Sequence, residues 1–144
     1  IEVRRRSHNM MPHALGVSGL KGAIEDLATQ LKTLNYHITL DLNFDDNKLE
    51  ETKKIAVFRL IQELVSNINK HAHSNEIFIQ LFEHDNQFHL IIEDNGTGFN
   101  YEEAITKKGL GLKSINSRVE FLNGTILWDS ALDKGTTTSI NFPR

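Results

Sequence analysis

A chain of 144 residues, 39% hydrophobic and 24% charged, with two prolines and nine glycines, fits one ordinary globular domain and lies outside the ranges of collagen-like and disordered chains. It contains no cysteine, which excludes a disulfide framework, a cysteine-ligated zinc or iron–sulfur centre and a thiol nucleophile. A net charge of −3 exerts no global pull toward nucleic acid or an anionic membrane, and no apolar run approaches the roughly 20 residues that span a bilayer.

Residues 1 to about 35 have a helical pattern broken at Pro12 and at the pair Gly16 and Gly19, which predicts a short helical piece followed by a second helix. The second carries an apolar stripe of Leu20, Ala23, Ile24, Leu27, Leu31 and Leu34. Residues 36–44 alternate, with Tyr36, Ile38, Leu40 and Leu42 on one side, as in a half-exposed strand. Asp45, Asp46 and Asn47 read as a turn. A long helix is predicted over 48–72, because Ile55, Phe58, Ile61, Val65, Ile68 and Ala72 keep helical spacing without an intervening Pro or Gly. At about 100° per residue, Arg59, Glu63, Asn67, Lys70 and His71 fall within a sector of about 120° of that helix, so a base, an acid, an amide and an imidazole share one face.

Strands over 76–82 and 88–93, separated by His84, Asp85 and Asn86, read as a hairpin. Residues 94–99, Asp-Asn-Gly-Thr-Gly-Phe, form a loop, and a second glycine pair, Gly109 and Gly111, opens a helix running to about Leu122. Asn123 and Gly124 end it, and strands over 125–130 and 136–142 follow, joined by a turn at Asp133, Lys134 and Gly135. There is no internal repeat and no second globular domain.

Glycine loops of this kind let backbone approach an anion, yet neither is a familiar phosphate loop. No Gly-Lys pair occurs anywhere, which excludes Walker A. Tyr101 and Ser114 stand where a dinucleotide fingerprint needs its third glycine. His71 and His73 diverge at a helix end and do not form a metal pair, and Ser7, Ser66 and Ser114 lack the context of a hydrolytic nucleophile.

The order of the motifs is more specific than any one of them. Residues 62–72, Gln-Glu-Leu-Val-Ser-Asn-Ile-Asn-Lys-His-Ala, resemble the N box of histidine kinases. Residues 94–99 resemble their first glycine box, residues 108–112 the second, which Leu112 closes, and Gly135-Thr136-Thr137 the last. The resemblance runs from Leu20 to Pro143. Glu63 opening the N box and the short segment between the glycine boxes resemble the nitrate-sensor and thermosensor type of kinase, of the superfamily that includes gyrase, Hsp90 and MutL.

That resemblance implies an α+β fold, a two-layer sandwich in which about three helices cover one face of a mixed, mainly antiparallel sheet. It implies that residues 1–18 are the tail of the second helix of a dimerisation domain and that 19–144 form the catalytic ATP-binding domain of a longer protein. It further implies that Asn67 binds Mg²⁺ through its amide oxygen, consistent with the oxygen ligands that hard cations favour. Glu63 would act as general base toward the attacking imidazole or hold a metal-bound water. Lys70 and His71 would meet phosphates or ribose, and Asp94 would accept from the adenine amino group with Thr136 in support. Gly96 and Gly98 would pass close to the base, and Gly109, Gly111 and Leu112 would fold over the phosphates. The implied partners are ATP, a histidine-bearing dimerisation domain of the same protein and a response regulator, with no nucleic acid. The fragment is expected to be monomeric, the intact kinase a homodimer, and the domain cytoplasmic, with membrane anchoring of the parent left open. His8 is not expected to be the phosphoacceptor. The competing functions are an anti-sigma serine kinase of the same fold and a nucleotide-sensing docking module without transfer chemistry.

Overall fold

The computed structural model describes residues 12–68, 74–96, 112–130 and 134–144. In chain order the elements are α1 (Pro12–Lys32), β1 (His37–Asn43), a 3-10 turn (Asp46–Lys48), α2 (Glu51–Asn67), β2 (Glu76–His84), β3 (Gln87–Asp94), α3 (Leu112–Phe121), β4 (Thr125–Ser130) and β5 (Thr136–Pro143). The strands form one five-stranded sheet in the order β1-β2-β3-β5-β4, with β1 and β2 parallel and every other pair antiparallel. This is the expected two-layer α+β sandwich, with three helices among the described residues over a mixed, mainly antiparallel sheet.

Parallel β1 and β2 need a crossover, and α2 supplies it. β2 and β3 need only a two-residue turn. Asp85 and Asn86 both have positive φ, at 52° and 63°, which matches the twist of the flanking strands. Asn123 ends α3 in the same left-handed region, with φ 56°, while the Gly124 N–H returns to the Val119 carbonyl at 3.0 Å.

Period-two patterning puts Ile77, Ile79 and Leu81 of β2, Phe88, Leu90 and Ile92 of β3, and Ile140 and Phe142 of β5 on the covered face. Against them pack Leu20, Ile24 and Leu31 of α1, Val57, Phe58, Leu60, Ile61 and Leu64 of α2, and Ile115 and Val119 of α3. Phe88 lies at the centre, stacked on Phe142 with ring centroids 5.3 Å apart and edge-on to Phe44 at 6.1 Å.

Two boundaries differ from expectation, and one internal break agrees with it. The long helix starts at Glu51 rather than residue 48, because residues 46–48 close a separate 3-10 turn. Helix α1 stops at Lys32, so Leu34 is 62% exposed instead of completing the apolar stripe. Within α1, Gly19 is non-helical, with φ 73° and ψ −173°, and divides it into the two pieces predicted. Asp46 fills the break, its carboxylate accepting from the Leu20 N–H at 2.7 Å and the Lys21 N–H at 3.3 Å. A Cβ at residue 19 would stand 2.9 Å from the Asp46 carboxyl carbon, so steric space and positive φ both favour glycine there.

Candidate functional site

Two groups of residues form the site, one at the C-terminal ends of β3 and α2 and the other between α2 and α3. Asp94 is the last residue of β3, in register with Thr136 of β5. Its carboxylate accepts from the Gly96 N–H at 2.8 Å. Burial pushes the Asp94 carboxyl above its ordinary value, and the Gly96 hydrogen bond pulls it part of the way back. Thr136 is buried, its hydroxyl 2.7 Å from that of Ser130 across the β4–β5 pair. Gly135, at φ 74°, brings its backbone so close that a Cβ would fall 2.3 Å from the Asp94 carbonyl oxygen. Any side chain at 135 would displace the end of β3, and the aspartate with it.

Asn95 ties this corner to the segment that follows α2. Its Oδ1 accepts from the backbone of Asn75 and Glu76 at 3.3 and 3.2 Å and lies 2.7 Å from the Ser74 hydroxyl. Its Nδ2 donates to Asn75 Oδ1 and Glu76 Oε2 at 3.0 and 3.2 Å. One side chain thus fixes Asp94 against the chain leaving the N-box helix. Sequence reasoning missed Asn95, whose only local signal was its place between Asp94 and Gly96.

Glu63 and Asn67 lie one turn apart on α2, as the spacing predicts. Glu63 faces α3, where its Oε1 accepts from Arg118 Nε at 2.8 Å and Ser114 Oγ at 2.9 Å. Neither partner was anticipated; they are 55 and 51 residues away in sequence, beyond any local pattern. Arg118 lies in an open groove between α2 and α3 together with Ile55, Arg59 and Phe121. Leu112 begins α3 with its side chain buried in the core. Lys70, His71, Gly98, Gly109 and Gly111 lie outside the described residues, as does His8.

Among the described residues no group of three or more His, Asp or Glu side chains could hold a metal ion. Among those residues, too, no helix is long and apolar enough to cross a membrane.

Residues 52–144 match the family described as histidine kinase-, DNA gyrase B- and HSP90-like ATPase. The chain is 29% identical over 143 residues to the oxygen sensor histidine kinase NreB of Staphylococcus carnosus, covering 99% of this chain and 41% of that protein. It is 33% identical over 147 residues to the signal transduction histidine-protein kinase/phosphatase DegS of Brevibacillus brevis, covering 99% and 37%. It thus spans about two fifths of the length of these curated relatives. In fold it is similar to the blue-light activated histidine kinase EL346 of Erythrobacter litoralis, with a TM-score of 0.75 at 16% identity over 96% of this chain and 47% of that one. It is also similar to the catalytic domain of the histidine kinase ThkA, with a TM-score of 0.66 at 15% identity over 86% and 89%.

Proposed function

The chain belongs to the family of histidine kinase-, DNA gyrase B- and HSP90-like ATPases, and from that premise we propose that residues 19–144 are the catalytic domain of a sensor histidine kinase. The domain binds ATP with Mg²⁺ and transfers its γ-phosphoryl to a histidine on a dimerisation domain of the same protein, from which a response regulator receives it. Residues 1–18 belong to the second helix of that dimerisation domain, a boundary supported by the break in α1 at Gly19. The domain is cytoplasmic, and the whole kinase is a homodimer.

Asp94 carries the reading. Its carboxylate is braced by Gly96, backed by Gly135 and Thr136, and half-buried at a strand end. Such a group suits the exocyclic amino group of adenine, a donor, where guanine presents a carbonyl acceptor. Asn67 would supply an amide oxygen to Mg²⁺, which when bound neutralises phosphate charge. Lys70 and His71 would contact phosphate or ribose. Gly98, Gly109 and Gly111 would let backbone approach the nucleotide, and the amides that begin α3 at Leu112 would face its phosphates.

Phosphoryl transfer depends chiefly on positioning and charge neutralisation. We assign Glu63 as the base. A ring nitrogen of the acceptor histidine forms its bond to the γ-phosphorus as the bond from phosphorus to the β–γ bridging oxygen breaks. ADP leaves with the electron pair, and the N–H proton of the neutral ring passes to the Glu63 carboxylate.

Calorimetry with ATP and GTP in the presence of Mg²⁺ tests the nucleotide assignment. ATP is expected to bind more tightly, and Asp94→Ala to cost about 1.5–3 kcal/mol, the usual worth of a hydrogen bond to a charged group. Equal affinity for GTP, or unchanged affinity in Asp94→Ala, would remove the reading.

A further inference from the structure

The ladder of β3 stops at Asp94, which is in register with Ile77 of β2 on one side and Thr136 of β5 on the other. Beyond that point a side chain takes over from the ladder. Asn95 Oδ1 accepts from the backbone N–H groups of Asn75 and Glu76 at 3.3 and 3.2 Å, as the carbonyl of a further strand residue would. The Asn95 backbone N–H donates to Ser74 Oγ at 3.3 Å, and that buried hydroxyl lies 2.7 Å from Oδ1. Nδ2 completes the brace on Asn75 Oδ1 and Glu76 Oε2. Leu90, Ile92 and Asp94 form one row of β3, on the side of the helices, whereas Glu76 is on the exposed row of β2. The brace therefore grips the strand end from the side opposite the Asp94 carboxylate. Among the described residues that carboxylate is held only by the Gly96 N–H, at 2.8 Å, so its direction follows the backbone that carries it.

We propose that Asn95, assisted by Ser74, is a positioning residue for adenine recognition, pinning the end of β3 to the chain that enters β2 so that the Asp94 carboxylate meets the exocyclic amino group at hydrogen-bonding distance and angle. Asn95 touches no nucleotide; it acts through Asp94. Hydrogen bonds weaken steeply with misalignment, so a strand end free to shift loses its preference for adenine before the domain loses its fold. The braced segment is also the one that follows the helix bearing Asn67, which keeps the base and phosphate ends of the site in fixed relation. The proposal rests on the reading of Asp94 as the adenine acceptor, and the experiment keeps the two apart.

In the full-length protein that contains this chain, calorimetry with Mg²⁺ measures the dissociation constants of ADP and of inosine diphosphate for Asn95→Ala, Asp94→Ala and the double variant. Inosine diphosphate has a carbonyl where adenine has its amino group, so the pair of ligands reads the contact of Asp94 with the base. Outright loss of a hydrogen bond to a charged group costs about tenfold to a hundredfold in affinity, and Asn95→Ala is expected to lose part of that, about fivefold for ADP. Inosine diphosphate should stay within about twofold, and the double variant should bind ADP as Asp94→Ala alone does, since Asn95 then has no acceptor to position. An asparagine that only stabilised the fold would weaken both nucleotides alike or neither, and either result overturns the proposal, as do losses that multiply in the double variant. If Asp94→Ala itself binds ADP as tightly as the parent, the nucleotide reading falls and this inference with it. If only Asn95→Ala does so, the inference alone falls. Should Asn95→Ala fail to fold, Asn95→Asp carries the test, because it keeps an acceptor oxygen and sets a second carboxylate oxygen against Glu76 Oε2 in place of the amide donor. A loss of affinity for ADP and not for inosine diphosphate supports the proposal, and an unchanged ratio of the two overturns it.

Discussion

The burial that would suit Asp94 to the proposed adenine contact has a cost to the domain that carries it. Burial raises its carboxyl, so the folded state holds the proton more tightly than the unfolded chain does, despite the bond from Gly96. The contribution of such a group to stability is fully present below its unfolded pKa and is lost as pH rises through the folded value. Asp94→Asn, which cannot ionise, is therefore expected to be more stable than the parent at neutral pH. That advantage should fade on acidification below the raised folded value. Urea unfolding across pH measures it, and an asparagine variant no more stable at neutral pH would contradict the burial penalty. ATP affinity should move the opposite way, falling on acidification from a higher pH than an ordinary aspartate would dictate, which calorimetry over the same range checks. The motif made Asp94 and Gly96 legible in the sequence. Asn95 was not, because its partners Ser74, Asn75 and Glu76 reach it across the β2–β3 hairpin.

Between elements, the joint at Gly19 shows how a turn in sequence becomes a cap in space. Alternation and acidic residues predict a strand and then a turn, but not that the turn sends Asp46 back 26 residues to the start of a helix. Lys54 lies close enough to compensate the carboxylate, 3.8 Å from Asp46 and 3.3 Å from Glu51, with its side chain only 10% exposed. Removing a helix cap costs about 0.5–2 kcal/mol, and Asp46→Ala should fall at or above the upper part of that range because it also takes a partner from a buried lysine. Denaturant unfolding decides this. A loss well below 0.5 kcal/mol would mean that water replaces the carboxylate. The same turn explains the late start of α2 at Glu51: residues 46–48 are engaged in a tighter helix aimed at α1.

For the molecule as a whole, one expectation concerns an event that should not occur. Transfer needs the imidazole about 3–3.5 Å from the γ-phosphorus and nearly in line with the leaving oxygen. With residues 1–18 read as the tail of a second helix, His8 is not the acceptor. The 144-residue chain, given radiolabelled ATP and Mg²⁺, should bind nucleotide without labelling itself. Added as a separate polypeptide, the dimerisation domain should become labelled, slowly, because the reaction is then bimolecular. Acid-labile, base-stable label on the chain alone, abolished by His8→Gln, would reverse the reading of the N-terminus. Folding places a different demand on the whole molecule: Phe88 meets Phe44 and Phe142 from separate elements, so Phe88→Ala should cost about 3–5 kcal/mol in denaturant unfolding.

The sequence by itself determined which elements form, which face of each is apolar, where the glycine-rich corners fall and that Glu63 and Asn67 share a helix face. Those properties repeat over two to four residues and are written in local spacing. Only the tertiary structure decided that β5 inserts between β3 and β4 and that Glu63 meets Arg118 and Ser114. Sheet order and contacts across 50 or more residues come from fitting whole apolar faces together, so a polar side chain acquires its distant partner only when the helices and sheet that carry the two have packed.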